Sequence, residues 1–259
     1  MAHGRYDVTE FEWNVIKPLL PNKARGVPRV DDRRVLNGIF YQLRSGSPWA
    51  DLPERYGPYT TVYNRFNRWR KAGVWNRLMD AIIAAYEAKG QKLQMIDSTS
   101  VRVHQQAAAQ KNRMEFVVSV SRGGLTTKMH LRVNEHGLPL QIELSPGQAH
   151  DAPMAELLLQ DLPKGMSLLA DRGYDADWIR EMIEDQNCTP VIPPKSNRRE
   201  EIPFSKRKYK KCNLVERCIN KLKQFRHIAT RYDRYASAYL AFAKLGAIRL
   251  WLRFYESAA

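Results

Sequence analysis

The spacing of apolar residues changes period once, at Gly90, and that change limits the folds open to the chain. Before it, apolar side chains recur at helical intervals: Val15, Ile16, Leu19 and Leu20, then Val35, Leu36, Ile39, Phe40 and Leu43, then Trp75, Leu78, Met79, Ile82, Ile83 and Tyr86. After it come short apolar runs bounded by turn residues and alternating with helical stretches, the pattern of a sheet covered by helices. We therefore expect an all-α unit over residues 1–89 and an α/β unit over 90–259.

Local signals fill in both parts. Thr9-Glu10-Phe11-Glu12 matches a capping box, residues 21–28 form a breaker-rich loop, and Asp31 can cap a second helix that ends at Ser45-Gly46-Ser47-Pro48. A helix over 60–71 seats Val62, Phe66 and Trp69 and leaves Asn64, Arg65, Asn67, Arg68 and Lys71 for the rest of its surface. An Arg/Asn face of that kind can read base edges, although a solvated basic face explains it equally. Another helix covers 74–89. In the second part we expect strands at 92–97, 128–134, 138–145, 167–171 and 189–193. A polar, mobile loop is expected over 104–124, a hairpin turn at Glu135-His136-Gly137, and helices over 151–159, 176–186, 213–226 and 235–254.

The net charge of +15 asks for a polyanionic partner, nucleic acid before an anionic membrane. Most of the surplus lies in residues 195–234, where fourteen Lys/Arg face four Asp/Glu, and a phosphate-binding surface explains it better than a solvated face. The longest apolar stretch is interrupted by Lys244, Arg249 and Arg253, so it reads as a core helix rather than a membrane span. The three cysteines form no CxxC pair, which points to reduced thiols and a cytoplasmic location. Asp7, Glu10 and Glu12 argue against a signal peptide.

Three carboxylates stand out. Asp97 and Asp171 each follow a short apolar run, at the strand end where open α/β sheets place ligands. Glu216 lies on a basic helix with Asn220 and Lys223 on its line, turned away from the Leu214, Val215, Cys218, Ile219, Leu222 and Phe225 stripe. Helix capping by Asp171 and a structural salt bridge at Glu216 are the plain alternatives. Together, inside a cationic surface, the three suit metal-assisted phosphoryl transfer on DNA, with two Mg²⁺ ions about 3.5–4 Å apart. The six histidines lack HExxH spacing and no GxSxG elbow occurs, so zinc hydrolase and serine nucleophile chemistry fit less well.

Nearly the whole chain resembles DDE-type transposases of bacterial insertion sequences, close to insertion-sequence family five. Pro48-Trp49-Ala50-Asp51-Leu52-Pro53-Glu54-Arg55-Tyr56-Gly57 with Val62-Tyr63-Asn64-Arg65-Phe66 is similar to that family's helix-turn-helix region. Met95-Ile96-Asp97-Ser98-Thr99 and Ala170-Asp171-Arg172-Gly173-Tyr174-Asp175 resemble its two aspartate motifs, and Tyr209, Glu216 and Lys223 match its glutamate signature. Cys212 stands where that signature has arginine, and Val117-Val118-Ser119-Val120-Ser121-Arg122 replaces a stretch that in relatives usually reads more like Gly-Arg-Ser-Arg. The resemblance implies a ribonuclease-H-like mixed sheet flanked by helices, preceded by the helix-turn-helix-type unit. It implies Asp97, Asp171 and Glu216 as catalytic metal ligands for two Mg²⁺, with Mn²⁺ as a substitute. Arg65, Arg68, Tyr209, Lys210, Lys211, Arg217 and Lys223 are the expected DNA contacts. The expected partners are double-stranded terminal inverted repeats and target DNA, with two copies acting together and no membrane. The expected function is cleavage at the element ends and joining to target; a transposase-derived DNA-binding protein without catalysis and a host nuclease on the same core are the rivals. His150 and Asp151 are expected to support the second-aspartate strand, or Asp151 to cap the next helix.

Overall fold

The computed structural model describes residues 4, 6–21, 30–86, 91–107, 117–121, 124–199 and 202–257. Most of the loop expected over 21–28, residues 108–116 and 122–123 of the loop expected over 104–124, and the expected boundary at 89/90 lie outside these residues. Packing sorts the chain into two compact units that no single cut separates. One comprises 1–87, 104–109 and 222–259; the other comprises 88–103 and 110–221.

The first unit is helical. Thr9 Oγ1 accepts from the Glu12 amide at 3.1 Å and Glu12 Oε2 accepts from the Thr9 amide at 2.9 Å, so the helix Glu10–Ile16 begins with a full capping box. Asp31 accepts from the Arg33 amide at 2.9 Å to start the helix Asp32–Ser45, which stops at Gly46. Gly46 has φ +64, a left-handed conformation that costs glycine little. The helices Tyr59–Lys71 and Val74–Tyr86 follow. The C-terminal helix Ala236–Glu256 buries Phe242, Leu245, Ile248 and Trp251, too much apolar surface for a helix with one covered face. It is enclosed by the N-terminal helices: Phe242 stacks on Phe66 at 4.5 Å between centroids, and Tyr255 on Tyr86 at 4.4 Å. The helix expected over 213–226 ends at Lys223, and a short helix, Arg226–Ala229, and a two-residue strand, Thr230–Arg231, follow it.

Within Tyr59–Lys71, Val62, Phe66 and Trp69 are buried as expected, and so is Arg65, at 5% exposure. Its guanidinium pairs with Asp32 and lies 5.4 Å from the Trp69 ring centroid. The expectation that Arg65 contacts DNA is corrected on this point. It sits one turn before Trp69 on the inner face, and Asp32 gives the buried charge a partner. Tyr63, Asn64, Arg68 and Lys71 form the exposed face.

The second unit is built on one sheet of β1 (Leu93–Val103), β2 (Ser119–Ser121), β3 (Gly124–Asn134), β4 (Pro139–Pro146), β5 (Ser167–Leu169) and β6 (Thr189–Val191). Across it the order is β4-β3-β1-β5-β6, with β2 pairing the start of β3 on the edge that β4 follows. β1, β3 and β4 are antiparallel neighbours, while β5 and β6 run parallel to β1. This is the mixed, helix-flanked sheet of the expected ribonuclease-H-like type. Ala155 and Leu158 of the helix Ala152–Leu158 and Ile179 and Ile183 of the helix Asp177–Asp185 share a core with Ile96 and Leu168. The β3–β4 turn is closed by Asn134 Oδ1, which accepts from the His136 and Leu138 amides at 3.0 Å each. Two strands differ from expectation: β2 forms within the loop expected over 104–124, and β1 runs past its expected end. β1 does not end at Asp97 but continues along β3 until Arg102 faces Thr126. The polar run Ser98-Thr99-Ser100 reads as a loop, yet Val101 and Val103 resume the buried alternation beyond it.

Candidate active site

The sheet register brings the two aspartates level. β1 and β5 pair in parallel as Leu93↔Ser167, Gln94↔Leu168 and Met95↔Leu169. Carrying that register two residues further sets Asp97 beside Asp171. β5 has ended at Leu169, so β1 loses its neighbour on that edge where the carboxylates stand. That is the strand-end crevice in which parallel sheets hold ligands. Asp171 also caps the turn Arg172–Tyr174, its Oδ1 accepting from the Gly173 amide at 2.8 Å. Asp171 thus caps this short turn and not the helix Asp177–Asp185 that the capping alternative named, and one of its carboxylate oxygens makes that bond.

Glu216 completes the group. It is exposed on the helix Asn213–Lys223, whose inner face buries Val215, Cys218 and Ile219. Burial pushes the Asp97 pKa up to about 6; the Ser98 amide, donating to Asp97 Oδ1 at 2.7 Å, opposes this, and the charges of Asp171, Glu216 and Asp151 add to it. Cys212 reports the same neighbourhood: its thiol is pushed up to about 12 by burial and then by Asp97, Asp171 and Glu216. Burial raises the Tyr209 pKa too, followed by Cys212, Asp171 and Glu216, with Arg172 acting in the opposite direction. Thus Tyr209 and Cys212 stand with the three carboxylates.

None of the ion pairs among the described residues involves Asp97, Asp171 or Glu216. Nor are three or more His, Cys, Asp or Glu side chains among the described residues gathered closely enough to hold a metal ion as they stand. The candidate site is an open set of carboxylate oxygens, with the charges of Asp171 and Glu216 adding to the rise in the Asp97 pKa. That donor set fits Mg²⁺ or Mn²⁺, which take carboxylate oxygens and leave positions for water and phosphate.

The remaining expected contacts are spread out. Lys210, Lys211 and Arg217 are exposed in the second unit, Arg68 is exposed in the first, and Lys223, half-buried, ends the Glu216 helix and is counted with the first unit. Burial lowers the Lys223 pKa.

Two features escape the sequence. Asp175, a residue of the second aspartate motif, is buried and ties the site's edge together. Its Oδ1 accepts from Arg180 Nε at 3.0 Å and Nη2 at 2.8 Å, and its Oδ2 from the Lys195 amide at 2.7 Å and Arg198 Nε at 3.1 Å. Burial alone would raise the Asp175 pKa, but these donors hold it below the usual carboxylate value. Its stabilising contribution is thus complete above the unfolded-state value and is lost as pH falls through the lower folded value. Asp175→Asn is expected to cost about 3 kcal/mol at neutral pH, because it strands the buried Arg180. Acid titration of stability should be shallower in the variant than in the parent protein; equal acid limbs would contradict this.

The other feature is Asp151. It sits at the N-cap of Ala152–Leu158 but makes no capping bond with its side chain. Instead Asp151 Oδ1 accepts from the Ser98 hydroxyl at 2.7 Å and lies 3.0 Å from Lys128 Nζ. The expected cap is corrected, and the support goes to the first aspartate strand rather than the second. The Asp-Ala-Pro sequence imitates a helix start and hides this.

Comparison with known proteins agrees with the geometry. Residues 8–79 match the family model described as “Putative transposase of IS4/5 family (DUF4096)”, and residues 88–251 match “Transposase DDE domain”. The chain is 36% identical over 130 residues to “Putative transposase for insertion sequence element IS6501” of Brucella ovis, covering 50% of this chain and 100% of that protein. It is 27% identical over 121 residues to “Transposase for insertion sequence element IS1106” of Neisseria meningitidis serogroup B, covering 46% of this chain and 41% of that one. Among solved structures it is similar in fold to a piggyBac transposase in a synaptic complex with hairpin DNA. The TM-score there is 0.51 at 9% identity, over 94% of this chain and 71% of the other. No helix among the described residues is long and apolar enough to cross a membrane. With the DDE-domain match spanning 88–251, the chain belongs to the DDE transposase family, of the insertion-sequence type.

Proposed function

We propose that the protein binds the terminal inverted repeats of its own element, cuts the DNA at the element ends and joins those ends to target DNA. The observation that supports this is the parallel register that sets Asp97 level with Asp171, together with the charges of Asp171 and Glu216 acting on Asp97. These carboxylates would hold two Mg²⁺ or Mn²⁺ ions. Such ions, when bound, supply an activated attacking oxygen and stabilise the leaving oxygen of a phosphodiester. The chain's own residues do the positioning. Tyr209 beside the carboxylates orients the scissile strand; Lys210, Lys211 and Arg217 hold phosphates, offsetting the repulsion the carboxylates exert on DNA; Lys223 contributes a further cation. Asn64, Arg68 and Lys71 present donors to the repeat from the exposed face of Tyr59–Lys71. Two copies would act together, one on each element end.

A strand-transfer reaction tests the reading. A labelled repeat-end duplex incubated with plasmid and Mg²⁺ should appear joined to the plasmid. Cutting that ignores the repeat sequence would instead favour the host nuclease. A binding role without catalysis is not favoured, since residues 88–251 match the DDE domain model.

The phosphate assignment has its own test. Replacing both Lys210 and Lys211 by Ala should lower the slope of log affinity against log salt by about 2, and weaken repeat and unrelated duplexes equally. Unequal losses would mean that the pair reads sequence.

A further inference from the structure

We propose that Asp151 is a positioning residue for the Asp97 carboxylate and that it acts through Ser98. The proposal rests on the reading of Asp97, Asp171 and Glu216 as a divalent-cation site.

Ser98 joins two carboxylates. Its amide donates to Asp97 Oδ1 at 2.7 Å, and its hydroxyl donates to Asp151 Oδ1 at 2.7 Å. Successive residues of a strand point to opposite faces, so Asp97 and Ser98 serve different sides of the sheet. Ser98 therefore shares a face with Ile96, which packs in the core formed with Ala152–Leu158 and Asp177–Asp185. Asp151 thus reaches the back of the strand that carries Asp97 on its front.

The back side is itself tied down. Lys128 Nζ lies 3.0 Å from Asp151 Oδ1 and donates to the Ala149 carbonyl at 2.7 Å. On β3, Lys128 and His130 stand opposite Ser100 and Ser98, so all four side chains project to one face. His130 Nδ1 is 3.8 Å from the same Asp151 oxygen, and its Nε2 is bonded to Ser145 Oγ at 2.7 Å. Buried Tyr174 lies in the same core as Ile96.

Capping does not account for Asp151, because its carboxylate makes no bond to the helix it precedes. Its Oδ1 accepts from the hydroxyl of Ser98, the residue whose amide donates to Asp97 Oδ1. With the Ser98 hydroxyl anchored, the 97–98 peptide cannot rotate, and the amide stays aimed at Asp97 Oδ1. The other Asp97 oxygen is then left for the cation that Asp171 and Glu216 would share. Outer partners that orient a ligand in this way change metal affinity or activity by about 10–100-fold when removed.

The test compares the full-length protein with Ser98→Ala, Asp151→Asn, the double variant and Asp97→Asn. Two quantities are read: the Mn²⁺ concentration that gives half the metal-induced rise in melting temperature, and the Mg²⁺ concentration for half-maximal cleavage of a repeat-end duplex. Ser98→Ala and Asp151→Asn should each raise both concentrations about tenfold. The double variant should be no worse than either, because both lie on one connection. Half-saturating concentrations within twofold of the parent, with only a lower metal-free melting temperature, would overturn the proposal and leave the trio as a helix-to-sheet clamp. Additive losses in the double variant would also overturn it. If Asp151→Asn does not fold, Ser98→Ala decides alone, since it leaves the Lys128–Asp151 pair intact. Asp97→Asn separates the two levels: an unchanged metal response there defeats the cation-site reading itself.

Discussion

Asp97→Asn is expected to slow cleavage at a repeat end by about a thousandfold while repeat binding stays within about twofold. The asparagine oxygen can still accept from the Ser98 amide, so the local backbone has no reason to move. What disappears is the negative charge, on the carboxylate whose pKa is pushed up to about 6 by burial and by the charges of Asp171, Glu216 and Asp151. On the proposed reading, that charge belongs to a site shared with Asp171 and Glu216. Asp171→Asn and Glu216→Gln should cost as much, and any pair should cost little more than one, as expected of side chains acting as a unit. Rates measured under single-turnover conditions, alongside binding by anisotropy, check this. A loss of binding in proportion to rate would mean that Asp97 is structural.

The second large effect lies in the helical unit, at Arg249→Met. Glu12 is 0% exposed and Arg249 3%, and Arg249 Nε lies 2.8 Å from Glu12 Oε1. The guanidinium also donates to the Asp7 carbonyl at 2.9 Å and lies 4.8 Å from the Phe40 ring centroid. The other Glu12 oxygen accepts from the Thr9 amide, so one carboxylate joins the first helix cap to the last helix. Removing Arg249 strands a buried charge and should cost about 3–5 kcal/mol. At about 2–4 °C per kcal/mol, that lowers the melting temperature by roughly 10 °C.

The pH dependence has a definite sign. Burial raises the Glu12 pKa and Arg249 opposes that, so without Arg249 the value rises further. A raised folded value gives stability that is present below the unfolded value and lost as pH rises through the folded one. The deficit of Arg249→Met should therefore be greatest at neutral pH and shrink in acid. The double variant Glu12→Leu with Arg249→Met should be more stable than Arg249→Met alone; a lower melting temperature for the double would contradict this.

What the sequence made legible follows from the range of each interaction. Thr9 with Glu12, Asp31 with Arg33 and the Asn134–Gly137 turn are encoded within four residues, and their caps and bends formed as read. Asp97 and Asp171 are legible because each follows an apolar strand, Glu216 because it points outward from a basic helix, and the resemblance to a known family strengthens all three. The longer-range partners were not visible. Periodicity shows that Ala236–Glu256 must be enclosed, but it does not say which unit encloses it, and the helix joined the N-terminal one. Arg65 reads like its exposed neighbours until Asp32, 33 residues away, supplies the countercharge that lets it be buried. Asp151 looks like a cap because its alternative partner, Ser98, is 53 residues away. Polar residues 98–100 hide the continuation of β1, which depends on pairing with β3.

The most direct measurement is cleavage of an end-labelled duplex carrying the element's own terminal repeat, with Mg²⁺, Mn²⁺ or EDTA. Cuts at the repeat end with either metal, and none in EDTA, are predicted from Asp97, Asp171 and Glu216 acting together on bound divalent ions. Salt-sensitive binding without a cut in either metal, or cuts that persist in EDTA, would contradict it.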